Sequence, residues 1–164
     1  MEIRNKPYII SFYNHPSTVK DIPINYDVLL SIESLQRVKD NMVYITVPQQ
    51  APSTIAIAGV QLGRILGDKN DIYNLHVKAA LQGVAKDQKT CDDANNKTMI
   101  ILFTQTPTNL VTMDRNNCVI VGATTADEAI TVTDALGYRL LGVIPSSKPA
   151  PQAQLNITIP TNNS

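Results

Sequence analysis

The chain has no tryptophan, only two phenylalanines and two cysteines, and no long run of apolar residues. A membrane-spanning helix needs roughly 18 to 20 consecutive apolar residues, and Lys, Asp, Asn or Gln interrupts every candidate stretch, so we predict no membrane span. A surplus of positive charge is also absent, because 14 Lys and Arg residues face 14 Asp and Glu residues. Proteins that hold nucleic acid mainly by neutralising phosphates need such a surplus, and the composition therefore disfavours that class.

The two cysteines, Cys91 and Cys118, lie 27 positions apart, and no further Cys or His stands at a metal-binding spacing from them. This arrangement predicts neither a disulfide framework nor a zinc site, and we expect both thiols to be inert. The first twenty residues include Glu2, Asn14 and His15 and lack an apolar block before a small-residue cleavage site. No export signal is therefore predicted, and we expect a cytoplasmic protein.

The residues that are present describe one soluble domain, since 43% of the 164 residues are hydrophobic and can form one core. The β-forming residues at 7–13 predict a short strand. Apolar residues at three- and four-residue intervals between 25 and 39 predict an amphipathic helix. Residues 42–47 alternate and end at Pro48, which predicts a second strand.

The second half of the chain predicts further strands and helices. Small and β-branched residues at 54–63 predict a strand, and a broad apolar stripe at about 72–86 predicts a helix. Three apolar runs with short polar turns follow at 98–104, 110–113 and 118–121. Runs with such short connections predict an antiparallel meander.

A second helix is predicted after this meander. Thr125 and Glu128 have the spacing of a capping box, in which a hydroxyl and a carboxylate satisfy backbone N–H groups of the first turn. Apolar residues then recur on one face as far as Val143. The order strand, helix, meander, capped helix therefore runs from about Thr54 to Val143.

This order resembles one half-repeat of the TATA-box-binding-protein family. The stretch NNCVIVGATTADEA is similar to that family's hairpin turn, strand, Gly-Ala pair and helix start, with Gly122 and Ala123 at the pair. The stretch TIAIAGVQLG resembles the family's first strand, which also ends in a Leu-Gly pair. The resemblance implies an α+β fold, in which a curved antiparallel sheet carries its helices on one face.

The resemblance also predicts the division of the chain. Residues 53–144 would be the TATA-binding-protein-like half-repeat. Residues 1–52 would be an N-terminal β-α-β extension or a degenerate half-repeat, and residues 145–164 a flexible, Pro-rich tail. Whether residues 1–52 complete a second half-saddle is left open.

DNA binding is the activity that the family resemblance implies, because the family's saddle kinks the minor groove with inserted Phe side chains. The corresponding positions here hold Asn96 and Met113, and the basic hairpin position holds Asn117. Asn is a poor wedge, since unstacking a base step costs a few kcal/mol that an apolar side chain must offset. The half-repeat also has eight basic and nine acidic residues, so DNA binding should be weak at physiological salt.

An apolar sheet face is the stronger functional signal. If the helices cover one face, the other exposes alternate strand residues that are mostly apolar, and a large face of this kind needs a cover. We therefore expect a non-enzymatic interaction or assembly module that binds itself or a protein partner, with a DNA-binding transcription protein as the alternative. The predicted interaction face consists of Asn96, Met113, Arg115, Asn117, Val119 and Val121.

No catalytic residue, metal site or cofactor is predicted. His76 has no Cys, Asp or second His three or four residues away, which favours a structural histidine. Asp92 lies beside Cys91 in a polar loop, where a carboxylate faces water. The glycines of 59–67 are not followed by the Gly-Lys-Ser/Thr that a P-loop requires, which argues against a Walker-type NTPase. A small-molecule enzyme with a cleft around His76 and Asp92 is a second alternative.

Overall fold

The computed structural model describes residues 2–3, 10–67, 73–83 and 88–146 of the chain. Its helices and strands, in chain order, are β1 (Glu2–Ile3), β2 (Ile10–Ser11), α1 (Pro16–Val19), α2 (Tyr26–Leu35), β3 (Met42–Val47), α3 (Ser53–Leu66), β4 (Val77–Gln82), β5 (Gln88–Lys89), β6 (Thr98–Gln105), β7 (Leu110–Arg115), β8 (Cys118–Ala123) and α4 (Ala129–Leu140). Short 3-10 turns occupy Cys91–Asp93 and Ala126–Glu128. Among the described residues, no helix has the length and apolar character needed to cross a membrane.

A mixed sheet of six strands forms the centre of the molecule, in the order β5-β4-β3-β6-β8-β7. The β7–β8 pair is antiparallel, whereas the other four pairs are parallel. The predicted combination of helices and strands is confirmed, but the curved antiparallel sheet is not, because β8 lies between β6 and β7 and runs parallel to β6. The half-repeat resemblance itself stays a prediction.

Several elements lie where the sequence pattern places them. Strand β3 has the predicted bounds, and β6, β7 and β8 begin at the first residues of the three apolar runs and extend one or two residues beyond them. Helix α2 begins after Asn25, whose side-chain oxygen accepts a hydrogen bond from the Asp27 N–H at 2.9 Å. Such a cap satisfies a backbone donor that the first helical turn leaves without a partner.

Two elements were predicted as the wrong type. The predicted strand at 54–63 belongs to α3, which buries residues at helical spacing, including Ala58, Leu62 and Ile65. The described part of the predicted helix at 72–86 contains β4, which pairs with β3 in parallel. Apolar residues at helical spacing therefore took precedence over the β-branched composition of α3.

The predicted capping box at the start of α4 is also wrong. Thr125 makes no side-chain capping bond, and a 3-10 turn separates it from the helix. The Glu128 carboxylate instead accepts a hydrogen bond from the Asn109 side-chain amide at 2.9 Å, and the Asn109 side-chain oxygen accepts one from the Thr124 N–H. The strand-to-helix connection is thus held by a residue of the β6–β7 loop.

The helices α2, α3 and α4 lie on one side of the sheet. Alternate strand residues pack with them in a single core cluster: Val43, Ile45, Met99, Ile101, Phe103, Val119 and Val121. The residues between them, such as Tyr44, Leu102 and Ile120, belong to no core cluster of the described chain. Because successive side chains of a strand point to opposite faces, we call these two faces the helix side and the open side.

Residues 10–19, which we call the N-terminal segment, pack over α3 and α4, on the side away from the sheet. Phe12 stacks on Tyr138 with ring centroids 4.2 Å apart, and both belong to a second apolar cluster. The buried Asp134 carboxylate of α4 accepts hydrogen bonds from the backbone N–H groups of Tyr13 and Asn14, and from the Gln61 side chain of α3. These bonds anchor the segment to the helices.

The sheet draws strands from both sides of the predicted boundary at residue 53. Strand β3 comes from the predicted N-terminal part, and it pairs with β4 on one edge and β6 on the other. The predicted N-terminal part thus supplies a central strand of the sheet. The predicted tail lies outside the described residues beyond residue 146.

Candidate functional site

Three residues of the predicted interaction face lie on the helix side. Val119 and Val121 of β8 are fully buried in the core, and Met113 of β7 packs against the same core. Their side chains therefore contact the helices of their own chain. A docking surface built on them is not available in the folded protein, because the alternation of β8 points its other residues outward.

The other three residues of that face lie around the β7–β8 turn. The Asn117 side-chain amide donates to the Asn95 carbonyl at 2.7 Å, and Asn117 itself has a positive φ of 59°. Asn96 is exposed, with its side-chain oxygen 3.4 Å from the Asn116 amide. Arg115 is exposed and forms ion pairs rather than an open cationic patch. These asparagines support the turn, which is a structural role.

A row of side chains crosses the middle of the open side. Strand register aligns Ala80, Thr46, Leu102, Ile120 and Thr112 on β4, β3, β6, β8 and β7. None of the five is charged, and all but the buried Thr46 are partly exposed. We call these residues the central row. Such a strip of uncharged, mostly small or β-branched side chains suits close packing against another flat surface.

Charged groups border the central row toward the amino ends of the parallel strands. Lys89 places its ammonium 4.7 Å from the centre of the Tyr44 ring, and Lys78 of β4 is exposed. At the far edge, Arg115 pairs with Asp92 at 2.8 Å and with Asp114 at 3.1 Å. The adjacent carboxylates raise the pKa of Arg115 above its usual value, chiefly through the hydrogen bond to Asp114.

The two cysteines form a disulfide at this same end of the open side, so the prediction of inert thiols was wrong. Cys118 begins β8 and is buried, and Cys91 begins the 3-10 turn that precedes β6. Disulfides are typical of oxidising compartments, whereas the location predicted from the sequence was the cytoplasm. The bond ties the 90–97 segment to the sheet.

A crevice of about 430 Å³ lies at the carboxyl ends of β3, β6 and β8. Its described lining is mainly apolar and includes Ile55, Phe103 and Ala129, with Gln105 and Thr125 among the polar residues. No His, Cys, Asp or Glu stands among those lining residues. The crevice has the size of a small-molecule site, yet its described walls supply no general acid, base or metal ligand.

The two residues of the predicted enzymatic cleft have separate surroundings. His76 precedes β4, and its Nδ1 atom lies 3.0 Å from the carbonyl oxygen of the buried Asn41. Asp92 pairs with Arg115 on the 3-10 turn. No hydrogen bond or ion pair between described residues links His76 to Asp92. The structure therefore does not bring them together as an acid–base pair.

The central row was missed because strand residues were assigned to the wrong side. Leu102 and Ile120 have the same apolar character as their neighbours Ile101 and Val119. A strand that is apolar at every position carries no signal for which side faces the helices. Only the positions of the helices identify the outward residues.

The chain matches no family model, curated protein or solved structure.

Proposed function

We propose that this protein is an assembly module that binds a second copy of itself through the open side of its sheet. The observation that carries the proposal is that the helices cover only one face of a sheet in which five of the six strands are parallel. Parallel sheets are ordinarily buried on both faces, whereas here α2, α3 and α4 all pack on one. The other face, within the described residues, presents the uncharged central row.

The composition of the central row supports a flat, apolar contact. Leu102 and Ile120 are neighbours in register and form its middle, with Thr46 and Thr112 beside them. The Thr46 hydroxyl donates to the Ile101 carbonyl at 3.1 Å, so its donor is already satisfied within the chain when the face is buried. Burying apolar surface of this kind in an interface stabilises the complex by about 25 cal/mol per Å² removed from water.

A second copy is the occupant that the charge distribution favours. The whole chain has no net formal charge, so two copies approach without long-range repulsion. A two-fold arrangement would place one central row against the other, at the spacing of about 10 Å that packed sheets adopt. It would also leave the ion pairs of Arg115 at the rim, in contact with water.

DNA is a weaker candidate for the same face. Arg115, an exposed cation near it, is already paired with Asp92 and Asp114. Lys89 lies over the Tyr44 ring. A phosphate backbone would have to compete with both arrangements, and binding of that kind weakens steeply as salt rises.

The test is the oligomeric state of the full chain and of two matched variants, measured by sedimentation velocity over a range of concentrations. Ile120→Lys places a charge in the middle of the central row and should convert a dimer to a monomer. Ile57→Lys makes the same change on the outer surface of α3, where Ile57 is 43% exposed, and should leave the dimer intact.

Two results would overturn the proposal. One is a wild-type chain that stays monomeric at every concentration, and the other is an Ile120→Lys variant that dimerises as well as Ile57→Lys. A gel shift with duplex DNA at low salt tests the alternative, a DNA-binding function. Binding that falls in Arg115→Ala, in a chain that remains monomeric, would favour the nucleic-acid function.

A further inference from the structure

We propose that reduction of the Cys91–Cys118 disulfide creates a binding site for one thiophilic divalent cation, such as Zn²⁺, with Asp114 as the third protein ligand. The two sulfur atoms and a carboxylate oxygen of Asp114 all lie within 4.8 Å of one another. The inference is independent of self-association through the central row. It assigns a chemical role to a cluster that the proposed assembly function does not use.

The three ligands come from three separate segments that the sheet holds together. Cys118 is the buried first residue of β8 and pairs with Ile100 of β6. Cys91 stands on the 3-10 turn, which is fixed by a reciprocal capping box between Thr90 and Asp93. Ligands that the fold already holds close together favour metal binding, because less chain entropy is lost when the ion binds.

A β-bulge places the carboxylate. The register of β7 against β8 shifts between Met113 and Arg115, so Asp114 is the extra residue of the bulge. Bulges redirect a side chain that regular pairing would place elsewhere, and they are frequent beside functional sites. Asp114 is exposed, which leaves its carboxylate accessible to an incoming ion.

The donor set matches the preferences of zinc. Thiolates bind Zn²⁺ at about 2.3 Å and carboxylates at about 2.0 to 2.2 Å, in tetrahedral geometry that places two sulfurs about 3.8 Å apart. Breaking the disulfide lets the sulfurs separate to that distance, and the partly exposed Cys91 turn can supply the movement. Water would take the fourth position.

The electrostatic balance of the site is also favourable. Two thiolates and one carboxylate exceed the charge of the ion by one negative charge. The Arg115 guanidinium, whose Nε is 3.1 Å from the Asp114 carboxylate, lies in position to compensate it. Two further carboxylates stand on the Cys91 turn: Asp92 is held by the same guanidinium at 2.8 Å, and Asp93 accepts a hydrogen bond from the Thr90 N–H at 2.8 Å.

The redox step is a thiol–disulfide exchange with a dithiol reductant. The reductant gives two electrons and two protons to the Cys91–Cys118 bond and becomes a disulfide itself. Zn²⁺ then binds the two sulfurs, and their two protons are released to water. The oxidised and metal-bound forms are therefore mutually exclusive states of one centre.

The experiment uses Co²⁺ as a spectroscopic probe of the full chain. After reduction with a phosphine and its removal without oxygen, Co²⁺ titration should give one ion per chain with thiolate-to-metal charge-transfer absorption and tetrahedral d–d bands. Zn²⁺ should displace it. The oxidised chain should show none of these bands, because a disulfide offers no thiolate.

Variants assign the ligands. Cys91→Ser and Cys118→Ser should each weaken Co²⁺ binding and remove at least half of the charge-transfer absorption, because at most one thiolate remains, and Asp114→Asn should weaken binding by about tenfold or more. Asp127→Asn, at an exposed carboxylate before α4, is the matched control and should bind like the wild type. Asp114→Asn retains the disulfide, so its oxidised form reports whether the variant folds.

Three outcomes would overturn the proposal. The first is a folded, reduced chain that binds no Co²⁺, and the second is binding without thiolate charge transfer. The third is Asp114→Asn binding as tightly as Asp127→Asn. If reduction unfolds the chain, circular dichroism decides: recovery of structure on adding Zn²⁺ supports the site, and failure to recover overturns it.

Discussion

The two faces of the sheet differ in how completely the chain covers them. On the helix side, the strands are covered by α2, α3 and α4, and the N-terminal segment covers α3 and α4 in turn. On the open side, the described chain provides the 90–97 segment and one disulfide. The same strands thus contribute a dry core on one face and a partly exposed row on the other.

This contrast shows that apolar character alone does not identify the core. Ile101 and Ile120 are chemically identical and occupy adjacent strands, yet one is fully buried among helices and the other is partly exposed. The stabilisation that each provides depends on the atoms placed against it, since dispersion and desolvation both need a partner surface.

The largest expected effect is the loss of a helix-side contact. Ile101→Ala should lower the free energy of unfolding by about 4 kcal/mol, because it removes transfer energy and leaves a cavity among packed side chains. Ile120→Ala should cost only about 1 kcal/mol in the monomer, because its site is already partly hydrated. Urea unfolding at low protein concentration measures both.

The concentration dependence sharpens the comparison. If copies associate through the central row, the cost of Ile120→Ala should grow as the protein concentration rises, whereas that of Ile101→Ala should not change. Equal losses for the two variants at low concentration would mean that the open side is as well covered as the helix side.

The disulfide should give the next largest effect. It closes a loop with a sequence separation of 27, and a chain-entropy estimate gives about 3.5 kcal/mol for a loop of that length. Adding a phosphine reductant should therefore lower the urea midpoint of the wild type. The double variant Cys91→Ala/Cys118→Ala should have the lower urea midpoint from the outset, and adding the reductant should not change it. A wild-type midpoint that is insensitive to complete reduction would contradict this.

The disulfide also shows how strand order limits prediction from sequence. In the predicted meander, β7 would separate β6 from β8, and the starts of those two strands would lie about 10 Å apart. In the structure β8 pairs directly with β6, which brings Cys118 close to the segment before β6. The apolar runs predicted where the strands lie along the chain, but they did not predict which strands are neighbours in the sheet.

Helix α3 shows a second limit. Its period was readable, since Ala58, Leu62 and Ile65 recur at helical spacing. Its outer face, however, carries the exposed Ile57 and Val60 where an amphipathic helix ordinarily has polar residues. Because apolar residues stand on both the buried and the exposed side of α3, its β-branched residues led to the prediction of a strand in place of a helix. The Asn25 cap of α2 carried no such conflict, and the start of that helix was predicted correctly.

The candidate site was predictable only as a class of surface. An apolar face opposite the helices followed from the strand composition, but Val119 and Val121 were placed on it in place of Ile120. A one-residue choice of side reverses the role of every residue in a strand. That choice depends on where the helices pack, and two of the sequence segments concerned were assigned the wrong element type.

The smallest expected effect concerns the outer cover of the helix side. Burial, with a smaller contribution from the Asp134 carboxylate, raises the pKa of Tyr138 from 10.0 to about 12. Its hydroxyl donates to the Asn14 carbonyl, which helps to hold the N-terminal segment on α4. Because the folded state keeps this proton longer than the unfolded state, the associated stability is complete below pH 10 and is lost as the pH rises through 12.

Tyr138→Phe separates this contribution from general alkaline unfolding. The variant loses the hydrogen bond, so its urea midpoint should be lower than that of the wild type at pH 8. As the pH rises from 10 toward 12, the wild type loses its advantage and the two midpoints should converge. Midpoints that stay a constant distance apart over this range would show that the Tyr138 hydroxyl does not couple the segment to the helices.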